Sequence, residues 1–348
     1  MGAVLDSDLV TGSQESVTDG RIHTVSVVIP VHQGECTLPG VVKEIERLTS
    51  VVHTPAGHAF RVAEVLLAYD HGPDASDETI RRLAGEYGFV RPIWLSRNFG
   101  QHAATLAGMA SSGGDWIVTL DEDGQHDPAD IAAFLDMAIA EQAAVVYAQP
   151  TNPAPHGSFR NRASRATKKL LVRLLARPDM GLFQSYRLVL GEVGRSVAAY
   201  AGAGVFLDVA MGWVNDRVAV CPVRLRAEGE RPSGYSTRRL LSHFWRMILS
   251  SGTRGLRLVS MLGMIFAAIG ALLAIYVVVA RLSNAISVQG WTSVMVAVLV
   301  GTGAILFALG VIAEYIGVAV NMAMGKPLYL IVSDPADGPL GARRAGSE

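Results

Sequence analysis

Apolar positions along the chain fall into two regimes. From about residue 24 to residue 123, short apolar runs alternate with segments of helical periodicity; beyond residue 256 the apolar residues merge into long uncharged stretches. The first run, "TVSVVIPV", is continuous and rich in β-branched residues, the pattern of a strand buried on both faces. A helix is predicted from about Leu38 to Leu48, then a strand in "VAEVLLAYD", a helix around Asp77 to Tyr87 and a strand in "VRPIWLS". A helix over Gln101 to Ser111 and the strand "DWIVTLDED" complete the series. Such alternation predicts an α/β domain, a mostly parallel sheet with helices on both faces. Ligands of these sheets bind beyond the carboxyl ends of the strands. Pro30 to His32, Asp70 and Asp121 to Asp123 all fall at such ends.

The second regime points to lipid. Between Arg257 and Arg281 there are about 23 residues without charge, enough to cross a bilayer core of ~30 Å as a helix. Trp291 to Ala313 gives a second uncharged run. Two buried core helices are the competing reading, but paired uncharged runs of this length seldom occur in a soluble core. Just before them, "TRRLLSHFWRMILSSGTRG" sets Leu240, Leu241, Phe244, Trp245 and Ile248 near one face and arginines elsewhere, the pattern of a helix lying on a membrane surface. Arg238, Arg239, Arg246, Arg254 and Arg257 precede the first run and Lys326 follows the second, whereas the connecting loop carries only Arg281. The positive-inside rule then places both termini and the α/β domain on the cytoplasmic side.

Composition adds two exclusions. The net charge of -1 gives no general bias toward nucleic acid, and the two cysteines, Cys36 and Cys221, give no disulfide framework. The expected organisation is a flexible tail over 1–22, the α/β domain over 23–235, a juxtamembrane amphipathic helix over 236–255, two transmembrane helices over 256–318 and a cytoplasmic C-terminal tail over 319–348.

The candidate chemistry starts at Asp121-Glu122-Asp123. Two carboxylates two residues apart face one side of an extended segment. Magnesium and manganese take such oxygen ligands and share them with phosphate oxygens. An ordinary solvated acidic turn has the same composition; the position at a strand end, beside two other polar strand ends, favours the metal reading. Gln125 and His126 stand close enough in sequence to complete the shell or touch a ligand.

"VSVVIPVHQGE", "YDHGPDASDET", "LSRNFGQHAATLAG" and "LDEDGQHDP", in this order, resemble the family-2 inverting glycosyltransferases of GT-A fold. "RPSGYS", "AEYIG" and "GKPLYLIV" are similar to segments of its membrane-anchored branch, the polyprenyl-phosphate glycosyltransferases. The resemblance covers about residues 24 to 332. It implies a Rossmann-like GT-A domain, followed by the amphipathic helix and two membrane helices, that moves a hexose from a nucleotide diphosphate to polyprenyl phosphate with inversion. The nucleotide sugar would lie along Pro30, Val31, His32, Glu35, Asp70, Asp121, Glu122, Asp123 and Gln125, with Asp70 reading the base. Asp121 and Asp123 would hold Mg2+ or Mn2+ on the diphosphate.

The resemblance also gives Asp179, in "PDMGLF", as the base or orienting carboxylate beside Asp123; the same residue suits a helix cap after Pro178. Asp208 is a weaker second choice. Arg160, Arg231 and Arg238 are the candidate cations for the lipid phosphate, since the guanidinium fork suits phosphate. UDP-glucose is the expected donor type, with GDP-mannose as the alternative, and membrane lipids and a homo-oligomer as the expected partners. His32 and Gln33 stand where Tyr and Asn are usual, His71 replaces a second Asp, and two residues are inserted before Asp77. The altered nucleotide loop keeps open a non-catalytic, nucleotide-binding membrane adaptor. A processive polysaccharide synthase lacks its Q-x-x-R-W here.

Overall fold

The structure is a computed structural model that describes residues 20–152, 183–202, 206–215, 217–226, 290–325 and 327–337, with scattered residues between 263 and 279. Its centre is the strand predicted first. β1 (His23–Val31) is buried from Val25 onward, and it pairs in parallel with β3 (Ala59–Tyr69) on one side and β5 (Trp116–Thr119) on the other. β4 (Val90–Leu95) extends the sheet in parallel beyond β3, and β2 (Val52–His53) pairs antiparallel with β3.

Side chains alternate across this sheet, so each face has its own core. Val25, Val27, Ile29 and Val31 point to one face, where they meet α1 (Leu38–Glu46), α2 (Ser76–Glu86) and α4 (Ile131–Ala140). Val28 points to the other, toward α3 (Gln101–Ser111) and α5 (Gly191–Tyr200). In α1 the buried residues are Leu38, Val41, Val42 and Ile45, an i, i+3, i+4, i+7 stripe that can only be covered by another layer.

The sheet is mixed where the sequence predicted mostly parallel. β6 (Val145–Pro150) pairs with β7 (Arg187–Leu190) antiparallel, β7 pairs with β5 antiparallel, and β8 (Val218–Val223) pairs with β6 in parallel. The order is β8-β6-β7-β5-β1-β3-β4, with β9 (Ile331–Val332) beyond β4. The chain leaves β6 at the edge that carries the site and re-enters β7 from that same edge. Without a crossover to the far edge, β7 must run backward. α6 (Leu207–Val214) follows on the α3 face.

α7 (Trp291–Ala323) has 33 residues, a length of about 50 Å at the α-helical rise. Its Val300–Gly317 stretch is long and apolar enough to cross a membrane, and Ile305, Leu306, Phe307 and Ile316 within it are exposed. Glu314 is exposed there too. In the earlier uncharged run, residues 263–265, 268–270, 272, 275–276 and 279 are helical, with Leu272 and Tyr276 exposed. The juxtamembrane helix expected over 236–255 lies outside the described residues.

Beyond α7 the chain does not trail away as the expected tail. Residues 327–337 return to the α/β domain, where β9 (Ile331–Val332) pairs antiparallel with Trp94 and Leu95 of β4.

One half-buried carboxyl gives a pH prediction. Burial, and then the neighbouring Asp127, push the Asp130 carboxyl up to about 6, with Arg226 opposing. The folded state therefore holds a proton that the unfolded chain has lost between pH ~4 and ~6, and stability falls as pH rises through that window. Asp130→Asn removes the cost: stability rises above pH 6, by about 1 kcal/mol once solvent screening of this half-buried group is allowed for, and is unchanged near pH 3.5. Thermal unfolding at the two pH values checks it.

Candidate active site

Three strand ends meet at one edge of the sheet. At the end of β1 the chain turns through residues 32–37, and the turn is held from outside. The Glu122 carboxylate accepts the N–H of His32 at 2.8 Å and that of Gln33 at 2.9 Å. Ser76 Oγ accepts from the Gly34 N–H at 2.7 Å, and Glu35 Oε2 accepts from the Ala75 N–H at 3.1 Å. Gly72 packs against this turn so closely that a Cβ there would stand 1.4 Å from the His32 carbonyl oxygen. Only glycine permits that approach.

At the end of β3, Asp70 is buried. Its carboxylate accepts the N–H groups of Phe99 at 2.6 Å and Gly100 at 2.8 Å, and its carbonyl accepts from Asn98 Nδ2 at 2.8 Å. Gly100 takes φ +96, open to glycine and seldom to other residues. Burial pushes the Asp70 carboxyl up, against the pull of the two amides and of His32 and His71. His71 itself sits at φ +50, with Nε2 2.6 Å from the Leu95 carbonyl oxygen.

At the end of β5, Asp121 accepts from Gln101 Nε2 at 2.7 Å through Oδ1 and from Ser185 Oγ at 2.6 Å through Oδ2. Its own N–H donates to His126 Nδ1 at 3.0 Å, and the His126 ring stacks on Tyr186 at 4.6 Å. That bond requires His126 Nδ1 to carry no proton. Asp123 Oδ1 accepts the Gln125 N–H at 3.0 Å. Behind Asp121 opens a cavity of about 230 Å³, walled by Phe183, Phe206, His102 and Pro30, with Arg187 and Asp208 in its lining. The latter two form a buried ion pair; Arg187 Nε also donates to Thr119 Oγ1 at 3.1 Å, and Asp208 accepts from Tyr147 Oη at 2.9 Å. Burial pulls the Arg187 pKa down from its ordinary value.

The donor set at this edge fits a hard divalent cation. Asp121 and Asp123 are both partly exposed and offer only oxygen. Among the described residues no three His, Cys, Asp or Glu side chains converge as a complete protein cage. One or two carboxylates plus phosphate oxygens from a substrate is how magnesium is commonly held.

The "Glycosyl transferase family 2" profile matches residues 26–195. An undecaprenyl-phosphate 4-deoxy-4-formamido-L-arabinose transferase of Pseudomonas paraeruginosa is 32% identical over 342 residues, covering 93% of this chain and 95% of the relative. The chain belongs to the family-2 polyprenyl-phosphate glycosyltransferases. The protein of the same description from Salmonella paratyphi B is 28% identical over 316 residues, covering 89% of this chain and 93% of its own. Among solved structures, glucosyl-3-phosphoglycerate synthase from Mycobacterium tuberculosis, in complex with Mn2+, UDP-glucose and phosphoglyceric acid, aligns with TM-score 0.47 and 20% identity over 67% of this chain and 79% of that one.

Within this glycosyltransferase the structure brings Pro30, Asp70, Asp121 and Asp123 to one edge, as the sequence placed them. Val31 contributes backbone only: its side chain is in the core and its carbonyl accepts the Asp70 N–H. The Glu122 and Glu35 carboxylates hold the β1 turn, and Gln125 accepts the Arg226 N–H through its carbonyl. Asp208 is engaged by Arg187 and Tyr147, which gives it the place of a buried counter-ion and not of a proton acceptor. Asp179, Arg160, Arg231 and Arg238 lie outside the described residues. Sequence reasoning missed the cavity walls from Gln101, Phe183, Ser185 and Phe206; only Gln101 carried a signal, opening a helix directly after "SRNFG".

Proposed function

We propose that this glycosyltransferase moves a sugar from a UDP-linked donor to polyprenyl phosphate at the cytoplasmic face of the membrane, inverting the anomeric centre. The observation that supports this reading is the Asp121 carboxylate, which lines the cavity at the end of β5 and stands two residues before Asp123. On this reading the base and ribose lie toward Asp70 and the turn after β1, the diphosphate over Asp121 and Asp123, and the sugar toward the cavity. Phe183 and Phe206 would shield the reacting carbon from water there.

The bond to form joins a phosphate oxygen of the lipid to the anomeric carbon; the bond to break joins that carbon to the diphosphate. A phosphate monoester has its second pKa near ~6 and is mostly a dianion at neutral pH, so a strong base is not required. Asp179 would orient the acceptor or take a residual proton, and Arg160, Arg231 and Arg238 would bind its phosphate. Asp121 and Asp123 are the residues to hold Mg2+ or Mn2+, which when bound supplies positive charge where the departing diphosphate becomes more negative. Gln101 and Ser185 keep the Asp121 carboxylate aimed. Both termini would face the cytoplasm, consistent with β9 joining the same domain that follows the N-terminus.

The test is a donor panel with purified full-length protein, polyprenyl phosphate and Mn2+ or Mg2+. UDP-glucose is the first donor, as the type expected of the family resemblance. A second reading, 4-deoxy-4-formamido-L-arabinose as the transferred sugar, is favoured by the description of the 32%-identical relative. Transfer from a UDP-sugar is the expected result. Transfer from GDP-mannose alone would overturn the UDP assignment, and transfer from no donor in the panel would favour a binding protein without catalysis.

A further inference from the structure

The chain that leaves the membrane helix is wired into the nucleotide end of the site. Four residues separate the end of α7 at Ala323 from Leu328, and Leu328 and Tyr329 pack against the same core face as Phe99. The next residues form β9, whose partners are the last two residues of β4, and the Leu330 carbonyl accepts the Ser96 N–H at 2.9 Å. Ser96 begins the loop "SRNFG", and three residues of that loop, Asn98, Phe99 and Gly100, are the ones that hold Asp70.

A second tie runs through α2. Asp334, directly past β9, receives the Arg81 guanidinium on both oxygens, Nε at 2.7 Å and Nη2 at 2.9 Å. The same guanidinium bonds Asp77 at 3.0 Å and lies over the Trp94 ring of β4 at 4.9 Å. α2 starts at Ser76, the residue whose hydroxyl accepts from Gly34 in the β1 turn. Paired, planar recognition of this kind fixes orientation as well as distance. Both loops that flank Asp70 are thus braced by the same returning segment.

We infer that residues 328–334 form a strap that positions the nucleotide end of the site, with Arg81 and Asp334 as its positioning residues. The inference rests on the reading that the Asp70 end takes the nucleotide. It gives the C-terminal segment a role in donor binding: the anchor holds the domain at the membrane, and the strap sets the geometry in which the donor is received.

The experiment uses full-length protein in detergent with the Asp334→Asn and Asp334→Glu variants. Two readouts are taken: kinetics in donor and acceptor separately, with UDP binding alongside, and amide exchange of the peptide covering residues 96–101. Asp334→Asn is expected to raise the donor KM and the UDP dissociation constant by about three- to tenfold, the scale on which packed networks couple sites. The acceptor KM and kcat at saturating donor stay within about twofold on the same scale, exchange at residues 99 and 100 quickens, and Asp334→Glu recovers most of the donor KM. Unchanged exchange and donor KM would overturn the strap, as would an equal rise in both KM values, which marks general damage. If the parent protein bound no UDP while exchange still quickened in Asp334→Asn, the brace would stand and the nucleotide reading would fall.

Discussion

Asp121→Ala and Asp123→Ala proteins are expected to transfer sugar on the order of 10²- to 10³-fold more slowly than the parent, because a metal positioned at a departing diphosphate supplies several kcal/mol and each 1.36 kcal/mol is tenfold in rate. The loss should appear in kcat as well as kcat/KM, since the charge it answers grows as the bond breaks. The two positions should differ in detail. Asp121 is aimed by Gln101 and Ser185, so Asp121→Asn keeps one accepting oxygen in place but loses the negative charge. Asp123 accepts the Gln125 N–H on a turn that is partly exposed. Glu122→Ala tests the contrast: its carboxylate braces the N–H groups of His32 and Gln33, so the donor KM should rise while the Mn2+ requirement stays. Initial rates across a Mn2+ titration, with all four variants in matched membrane preparations, decide the matter. Parent-like rates in Asp121→Ala and Asp123→Ala would end the metal assignment.

The acidic cluster was visible in the sequence because it ends the apolar run of β5. Glu122 and Asp123 stand in a turn past the strand, so strand alternation does not set their directions, and the Glu122 carboxylate reaches the β1 turn. β1, β5 and the second half of β3 (residues 65–69) were legible for a related reason: buried on both faces, they read as largely apolar runs. β7 was not. "RLVL" is four residues long, and nothing local tells that it runs backward between β5 and β6. β9 was hidden more deeply. Two apolar residues after a long hydrophobic helix look like the start of a tail, and their partners, Trp94 and Leu95, are on the far side of the whole domain in sequence. The cavity behind Asp121 had the same fate, since Gln101, Ser185 and Phe206 come from three segments that only the tertiary fold brings together. Candidate residues at strand ends could be placed from the sequence; positions that depend on which segments become neighbours could not.

Arg187 shows the same limit, and it carries the largest expected effect on stability. Its side chain and that of Asp208 are 4% and 7% exposed, so each charge relies on the other. Removing one partner of such a pair typically costs ~3–5 kcal/mol, because the remaining charge is left buried without compensation. Arg187→Met, close in length and without charge, should therefore lower the apparent Tm by roughly 6–20 °C in a domain of this size. Asp208→Asn should cost less than Asp208→Ala, because the amide oxygen still accepts from Tyr147. The double variant Arg187→Met with Asp208→Asn removes both charges and keeps that hydrogen bond, so it should regain most of the stability lost by Arg187→Met. Recovery of this kind is the signature of a mutually dependent pair, and thermal scans at one fixed rate on the four proteins measure it. Strictly additive losses would mean that Arg187 is held by Thr119 and the cavity wall and not by Asp208. The pair lines the same cavity as Asp121, so a double variant that folds like the parent but transfers sugar slowly would place the Arg187 charge in donor binding, whereas one that folds and transfers like the parent would leave it a scaffold.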